Sequence, residues 1–258
     1  MTQFLTILTY HAIARGPAPL CIAPELFDRH LDALATAGCT VLTLSQAVSL
    51  LRAQSLPPRA VALTFDDGLE CVLTEAVPRL SARGWPATVF CVGGHLGGYN
   101  DWPTQSPRAP KQPLASPDEL VAMANAGLEI GSHTMTHAPL GHAPEAALDE
   151  EIVASRVLLE SATGAAVRAF ACPYGDAPAS EARRLIERTY DSACSTRMGI
   201  AMTGDDVYAL PRVDAHYVRR PELLLRLVRG EASQYLAMRR AGAWARRVVI
   251  RDFARQAR

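Results

Sequence analysis

Two short segments carry the residue types that bind a metal and activate water. The first, Val61-Ala62-Leu63-Thr64-Phe65-Asp66-Asp67-Gly68, is an apolar run that ends in two adjacent carboxylates. Carboxylates left unpaired beside a core are costly. An Asx turn or helix N-cap before Leu69 would account for one Asp but not readily for two. A divalent metal could take one of them and leave the other free as a base. The second segment is Glu129-Ile130-Gly131-Ser132-His133-Thr134-Met135-Thr136-His137. Histidines four residues apart would project to the same side of a helical turn, and neutral imidazoles commonly ligate divalent metals. HxxxH alone is weak evidence and often marks surface histidines. Without the Glu of HExxH, that protease mechanism is excluded. Together with the paired carboxylates the signal is strong. Two imidazoles and one carboxylate leave coordination positions open for water, which marks a catalytic rather than a structural site. Zn²⁺ suits this donor set, and Co²⁺, Ni²⁺ or Mn²⁺ could occupy it.

Both segments sit at the ends of predicted strands, so the elements that position them come next. Apolar runs predict strands at Phe4–Thr9, Thr40–Leu44, Ala60–Phe65, Ala87–Val92, Leu128–Ser132, Arg168–Ala171, Ser192–Ser195 and Tyr208–Val213. Helix-period segments lie between them. One opens at Pro24, carries Phe27, Leu31 and Leu34 on one face and ends at Gly38. Others span Gln46–Ala53, Glu70–Arg83, Pro117–Ala126, Pro144–Ser161 and Ala179–Thr189. Strands alternating with helices indicate a parallel sheet, and roughly seven or eight of them suggest closure into a barrel, with chemistry at the C-terminal strand ends. The stretch from Gly93 to Ser116 is rich in Gly, Pro and polar residues and reads as a lid or binding loop.

Composition bounds the rest. A chain of 258 residues with 49% hydrophobic content buries a core without disulfides or partners. A formal net charge of zero gives no bulk attraction for nucleic acid. Cys21, Cys39, Cys71, Cys91, Cys172 and Cys194 show no CxxC spacing and read as reduced, mostly buried thiols. The N-terminus has no basic n-region or cleavage site, and no apolar run approaches a membrane span. A cytoplasmic location is expected.

A third segment, Phe170-Ala171-Cys172-Pro173-Tyr174-Gly175, reads by itself as a strand and a turn. In order and spacing, Thr64-Phe65-Asp66-Asp67-Gly68, then His133-Thr134-xx-His137, then Pro173-Tyr174-Gly175 resemble the polysaccharide deacetylase family (NodB homology, carbohydrate esterase family 4). The resemblance covers roughly residues 1 to 215 and implies a distorted (β/α)7-type barrel. It also implies metal-dependent hydrolysis of N-acetyl groups on amino sugars. By position, Asp67, His133 and His137 would hold the metal, and Asp66 would take the proton from the attacking water. The backbone N–H of Tyr174 would be a second donor to the oxyanion. Spacing alone does not say which of the two carboxylates binds the ion.

Two departures from the family pattern matter. The acid histidine that protonates the departing amine usually lies in a late strand, whereas here Leu8-Thr9-Tyr10-His11 closes the first strand. That arrangement is similar to a circularly permuted branch containing bacterial biofilm-polysaccharide deacetylases, and it points to His11. The competing candidate is His216. Many members also carry an Arg two residues before the Pro of the third motif, a position held here by Ala171. That Arg pairs with the base carboxylate. Arg212 could supply it from across the barrel; an ordinary surface Arg is the alternative.

Of the remaining candidates, Trp102 could present an aromatic platform to a sugar face or simply anchor its loop. His95 and His142 are read as exposed or outside the ligand set, His30 as structural, and Asp205 and Asp206 as turn residues. Residues 1–218 form the expected barrel and 219–258 a helical extension. The extension holds eleven Arg against Glu222, Glu231 and Asp252, giving 11 − 3 = +8 and leaving 15 − 23 = −8 for the remainder. Apolar residues from Leu223 to Phe253 interleave with these Arg as in a basic amphipathic helix pair. Such a tail could touch an anionic membrane, pack on the acidic barrel, bind a phosphate-bearing substrate or stand solvated. The leading function is N-deacetylation of an amino sugar in a saccharide, possible carriers being a nucleotide or a lipid. A deformylase or other non-peptide amide or imide hydrolase would share the scaffold, and a non-catalytic saccharide-binding module is the third class.

Overall fold

Period-two alternation along the apolar runs decides which residues face the middle of the fold. The computed structural model describes residues 3–106, 109–175 and 178–242. In chain order these form β1 (Phe4–Tyr10), β2 (Ala12–Ile13), β3 (Cys21–Ile22), α1 (Pro24–Thr36), β4 (Thr40–Leu42), α2 (Leu44–Arg52), β5 (Ala60–Phe65), α3 (Val77–Ser81) and β6 (Thr88–Cys91). They continue with α4 (Pro117–Asn125), β7 (Glu129–Ser132), α5 (Ser155–Thr163), β8 (Ala169–Ala171), α6 (Ser180–Thr189), β9 (Ser192–Met198), β10 (Ala201–Met202), β11 (Leu210–Asp214) and α7 (Pro221–Val228). Parallel pairings run in the order β1-β11-β9-β8-β7-β6-β5, and β5 then pairs back onto β1 from Leu5↔Ala60 to Tyr10↔Phe65. The ring closes, and the fold is a (β/α)7-type barrel. β4 adds to the lower half of β5, and β10 runs antiparallel on β1.

Small residues line the narrow interior. Leu5 and Ile7 of β1, Ala60 and Ala62 of β5, Phe90 of β6, Ala169 and Ala171 of β8, Cys194 of β9 and Leu210 of β11 form one buried cluster, joined by Leu44, Ala47, Val48 and Leu51 of α2. The alternate residues, among them Leu8, Tyr10, Val61, Leu63, Phe65 and Val89, pack outward against the helices. The inward parity continues past the apolar stretches. After Leu5 and Ile7 come Thr9 and His11; after Ala60 and Ala62 come Thr64 and Asp66; after Leu210 come Arg212 and Asp214. The same rule that fills the barrel thus delivers polar groups to its upper end.

Local signals set the helix starts. Pro24 and Pro117 occupy first-turn positions, and Thr43 with Gln46 and Ser116 with Glu119 form capping boxes. Thr43 therefore ends β4 early, and Leu44, expected in the strand, begins α2. The helical patterns at Glu70–Arg83 and Pro144–Ser161 are not continuous α-helices. A π-turn over Val72–Ala76 precedes α3, and a 3-10 turn at Glu145–Ala147 and a π-turn over Asp149–Ala154 precede α5.

From residue 219 onward, α7 and the helical stretch 233–242 follow β11. Leu224, Leu227, Val228, Ala232 and Leu236 join the main core beside Phe27, Leu31 and Leu34 of α1, so this part of the extension buries its apolar face on the barrel. Trp244, Val248, Val249 and Phe253 of the basic amphipathic pattern lie outside the described residues. No helix among the described residues is long and apolar enough to cross a membrane. Cys21, Cys39, Cys71, Cys91 and Cys194 are free thiols.

Candidate active site

The upper end of the barrel holds a cleft of about 710 Å³ whose floor contains Thr9, His11, Asp66, Asp67, His133, His137, Arg212 and Asp214. Asp66 and Asp67 follow β5 through a sharp turn. Asp67 and Gly68 both have left-handed backbones, at φ 73° and 74°. A Cβ at Gly68 would also crowd the Cys91 backbone at 3.1 Å, so glycine is needed there twice over. This turn sends the two adjacent carboxylates in different directions.

Asp67 meets the two histidines. Its Oδ1 lies 3.8 Å from His133 Nε2 and 3.5 Å from His137 Nε2, and all three residues are buried. Donors bound to tetrahedral zinc at ~2.0–2.2 Å stand roughly 3.3–3.5 Å apart, so these atoms are spaced to share one ion. The other ring nitrogens are spoken for. His133 Nδ1 lies 2.8 Å from the Ala171 carbonyl, which only an N–H can satisfy, leaving Nε2 with its lone pair free. His137 Nδ1 is 3.0 Å from the Tyr174 hydroxyl. Burial pushes the His133 imidazolium down to about 4, against the pull of Asp66, so the ring is neutral as a ligand must be. Among the described residues, Asp67, His133 and His137 are the one group of three or more such donors able to hold a metal.

The histidine loop is not the helical turn that the HxxxH spacing suggests. Thr134 and His137 adopt left-handed conformations, at φ 70° and 61°, and no helix is present. Glu151, from the π-turn before α5, reaches into the loop instead. Its carboxylate accepts hydrogen bonds from the Met135 and Thr136 amides, at 3.0 and 2.9 Å, and from the Thr136 hydroxyl at 2.5 Å. With the intervening residues pinned, both imidazoles turn inward.

Asp66 is held from across the barrel. Arg212 donates Nη1 to Oδ1 at 2.7 Å and Nη2 to Oδ2 at 2.8 Å, and its Nε donates to the Ser195 carbonyl at 3.1 Å. Arg212 thus stands in the role that the Ala171 position leaves open, and it is buried, not a surface residue. Burial opposes charge on Asp66, but Arg212 first, then His133 and His11, outweigh it and hold the carboxyl well below the usual carboxylate range. Arg212 in turn stays fully protonated, since the Asp66 charge overrides the cost of its burial.

His11 lines the cleft, and its charge acts on Asp66, Asp67 and Asp214. His216 is not among the cleft-lining residues; its backbone N–H donates to Asp214 Oδ1 at 2.8 Å and its ring lies beside Tyr217. Asp214 is raised by burial, with His11 the chief opposing influence. Sequence reading passed over Asp214, although it shares the inward face of β11 with Arg212. Glu151 offered no such signal, because it sits in the acidic run Asp149-Glu150-Glu151 that reads as a solvated face.

Tyr174 is left-handed at φ 57°, lines the cleft and donates its hydroxyl to Thr104 Oγ1 at 2.7 Å. Gly175 behind it has φ 64°, and a Cβ there would lie 1.7 Å from Thr196 Oγ1, so only glycine completes this turn. Trp102 lines the cleft but is 2% exposed; it stacks on His137 at 4.1 Å and 17°, with His95 edge-on at 5.8 Å. The described residues of the segment Gly93–Ser116 are tied by hydrogen bonds. Asn100 bonds Pro110 and Gln112, and bridges join Leu69 to Leu114 and Tyr99 to Pro113. His142 is exposed, and His30 is buried against Tyr10, with 3.0 Å between Nδ1 and the hydroxyl oxygen. Asp205 and Asp206 accept backbone hydrogen bonds within their turn.

Comparison with known proteins places these features in context. Among relatives, YxkH of Bacillus subtilis strain 168, named as a polysaccharide deacetylase, is 28% identical over 81% of this chain and 70% of its own length. A chitooligosaccharide deacetylase of Bradyrhizobium is 30% identical over 45% of this chain, which spans about half (47%) of that protein. The IcaB structure from Ammonifex degensii superposes with a TM-score of 0.75 at 23% identity, covering 89% of this chain and 97% of that one. The deacetylase PplD of Streptococcus pyogenes gives 0.71 at 24%, covering 83% and 93%. These two share the barrel. Residues 53–191, more than half of the sequence and including Asp66, Asp67, His133, His137 and Tyr174, match the polysaccharide deacetylase family. The chain belongs to the polysaccharide deacetylase family.

Proposed function

We propose that the protein is a metal-dependent N-deacetylase, which hydrolyses the acetamido group of an amino sugar to acetate and a free amine. The observation that carries this reading is the pairing of two sites at one cleft: three donors spaced for one ion, and beside them a carboxylate locked by Arg212. Asp67, His133 and His137 would hold a divalent ion, with zinc the best match to two imidazoles and a carboxylate. Such an ion supplies Lewis acidity, lowering the pKa of water and polarising the amide carbonyl.

The chain's own residues supply the rest. Asp66, ionised and unable to rotate on the Arg212 fork, takes a proton from the attacking water. The water oxygen adds to the acyl carbon, and the displaced electron pair moves onto the carbonyl oxygen. The backbone N–H of Tyr174, presented by the left-handed turn, is the donor aimed at that oxyanion. The C–N bond then breaks as His11 delivers a proton to the departing nitrogen. Asp214 lines the same cleft as His11, on the inward face of β11. Trp102 and Tyr174 pack around His137 and fix the orientation of its ring.

Acetate release from N-acetylhexosamine-containing saccharides, measured with and without chelator, tests the reading. Activity should vanish on full metal removal and return with zinc. Asp66→Asn should abolish turnover while metal content stays at the wild-type level. Activity that survives complete metal removal would overturn the mechanism.

A further inference from the structure

The mouth of the cleft is walled by arginines that no carboxylate answers. Arg197 comes from β9, and Arg239 and Arg240 come from the helical stretch 233–242. Elsewhere on the surface Arg79, Arg83, Arg156 and Arg183 each reach an acidic side chain. Arg197, Arg239 and Arg240 form no ion pair among the described residues, and the acidic groups of the cleft, Asp66, Asp67 and Asp214, lie on its floor.

Arg239 is the most constrained of the three. Its guanidinium sits over the Tyr217 ring, 4.2 Å from the centroid, and the Tyr217 carbonyl is itself bonded by the Tyr235 hydroxyl. Its Nε is buried and has no hydrogen-bond partner among the described residues. A guanidinium stacked in place gives up little freedom when it binds, and a buried N–H without an acceptor is costly until one arrives. Counting the cleft lining, four Arg against three Asp leave +1, and a divalent ion would raise this to +3. The sequence concentrates positive charge in the extension that supplies two of these arginines, while the remainder carries −8. Within the described part of the extension, residues 219–242, six Arg against Glu222 and Glu231 leave 6 − 2 = +4, a charge that favours an anion at this side of the cleft.

We propose that Arg197, Arg239 and Arg240 bind the phosphate or diphosphate of a phosphate-linked N-acetylated amino sugar. The proposal rests on the deacetylase reading and names its substrate class. Guanidinium forks match phosphate oxygens two at a time. In a 2-acetamido sugar the acetamido carbon adjoins the anomeric carbon. With the acetyl group over Asp67, His133 and His137, an anomeric phosphate stays within the same cleft and meets its walls. A cleft of about 710 Å³ admits a sugar and its phosphates. The phosphate could belong to a soluble nucleotide or to a lipid carrier, and its recognition chemistry is the same.

The test compares acetate release from uridine-diphosphate N-acetylglucosamine, from a lipid diphosphate-linked N-acetylglucosamine in neutral vesicles, and from an uncharged N-acetylchitooligosaccharide. The full metal-loaded chain should prefer at least one diphosphate substrate over the neutral one by tenfold or more in kcat/KM. Whichever diphosphate is preferred identifies the source. Arg239→Gln should erase at least tenfold of that preference, mostly through KM, and Arg197→Gln and Arg240→Gln should each erase part of it. Arg184→Gln, on the exposed face of α6, should leave it intact. A second readout needs no catalysis: calorimetry with inorganic diphosphate on the metal-stripped full chain should show binding that weakens tenfold or more in Arg239→Gln. If diphosphate binds through these arginines but no substrate releases acetate, the anion site stands and the deacetylase reading fails. If the neutral oligosaccharide is cleaved as well as the diphosphates and inorganic diphosphate does not bind, the anion site is overturned and the deacetylase reading stands.

Discussion

Arg212 and Asp66 form a two-pronged ion pair across the barrel, with both carboxylate oxygens engaged at 2.7 and 2.8 Å and each residue 3% exposed. The pair costs desolvation on both sides, so its value lies less in stability than in fixing where Asp66 points. Removing one partner is a different matter, because it strands a buried charge. Arg212→Met should therefore destabilise the fold by about 3–5 kcal/mol, read from urea unfolding, and cut kcat/KM by two orders of magnitude or more. Arg212→Lys keeps the charge but loses the fork; it should fold nearly normally and still lose at least tenfold in kcat. Wild-type turnover in Arg212→Lys would show that the geometry of the fork is irrelevant to the base.

Glu151 acts at one remove, through the loop between His133 and His137. Three donors converge on its carboxylate, two of them backbone N–H groups of Met135 and Thr136. Glu151→Ala removes the acceptor for all three. The loop should then relax and the imidazoles lose their shared aim. Zinc affinity measured by calorimetry should fall about 10- to 100-fold, the usual range for residues that orient metal ligands. Circular dichroism should stay that of the folded barrel, and excess zinc should restore much of the activity. Unchanged zinc affinity would reduce Glu151 to a packing role.

A buried histidine far from the ligand set makes stability depend on pH. His30 is fully buried in α1 beside the Tyr10 hydroxyl, and burial holds it down to about 4. The unfolded chain titrates such a histidine near ~6.5. Between these values the unfolded state binds more protons than the folded one, so stability falls as pH drops from about 6.5 to 4. The full difference corresponds to roughly 3 kcal/mol. His30→Gln keeps an acceptor for Tyr10 but cannot titrate. Its urea midpoint should fall less than that of the wild type between pH 7 and pH 5, and equal losses in the two proteins would dismiss His30 as the source.

What the sequence made legible follows from which signals are local. β5 was readable to the residue because a six-residue run, apolar except for Thr64, leads straight into Asp66 and Asp67. Helix starts were readable where Pro24 or Ser116 marks them. β2, β3 and β10 are two residues each, too short to show a period. The HxxxH spacing singled out His133 and His137 but misjudged their backbone, since the loop with left-handed turns at Thr134 and His137 is braced by Glu151, which arrives from a distant π-turn. For Trp102 a sugar platform and a loop anchor stayed open, because nothing local reveals that His137 stacks on it. The arginines at the cleft mouth come from β9 and from beyond α7, and only ring closure brings them together.

The identity of the acid turns on which histidine the barrel admits. His11 extends the inward parity of β1 and lines the cleft with Asp214, whereas His216 sits beyond β11 and is not among the cleft-lining residues. If His11 protonates the departing nitrogen, His11→Gln should lower kcat about 10²- to 10⁴-fold for an amino-sugar acetamide, with zinc content unchanged. His216→Gln should stay within a few-fold of wild type. The decisive comparison uses a leaving group that needs no acid. An acetanilide bearing a 4-nitro group expels a weakly basic amine, so the deficit of His11→Gln should shrink by at least tenfold on that substrate. Asp214→Asn should show the same pattern more mildly, because it alters the carboxyl that lines the cleft with His11 and leaves the imidazole in place. A deficit in His11→Gln that is the same for both leaving groups would assign His11 to binding or packing and reopen the search for the acid.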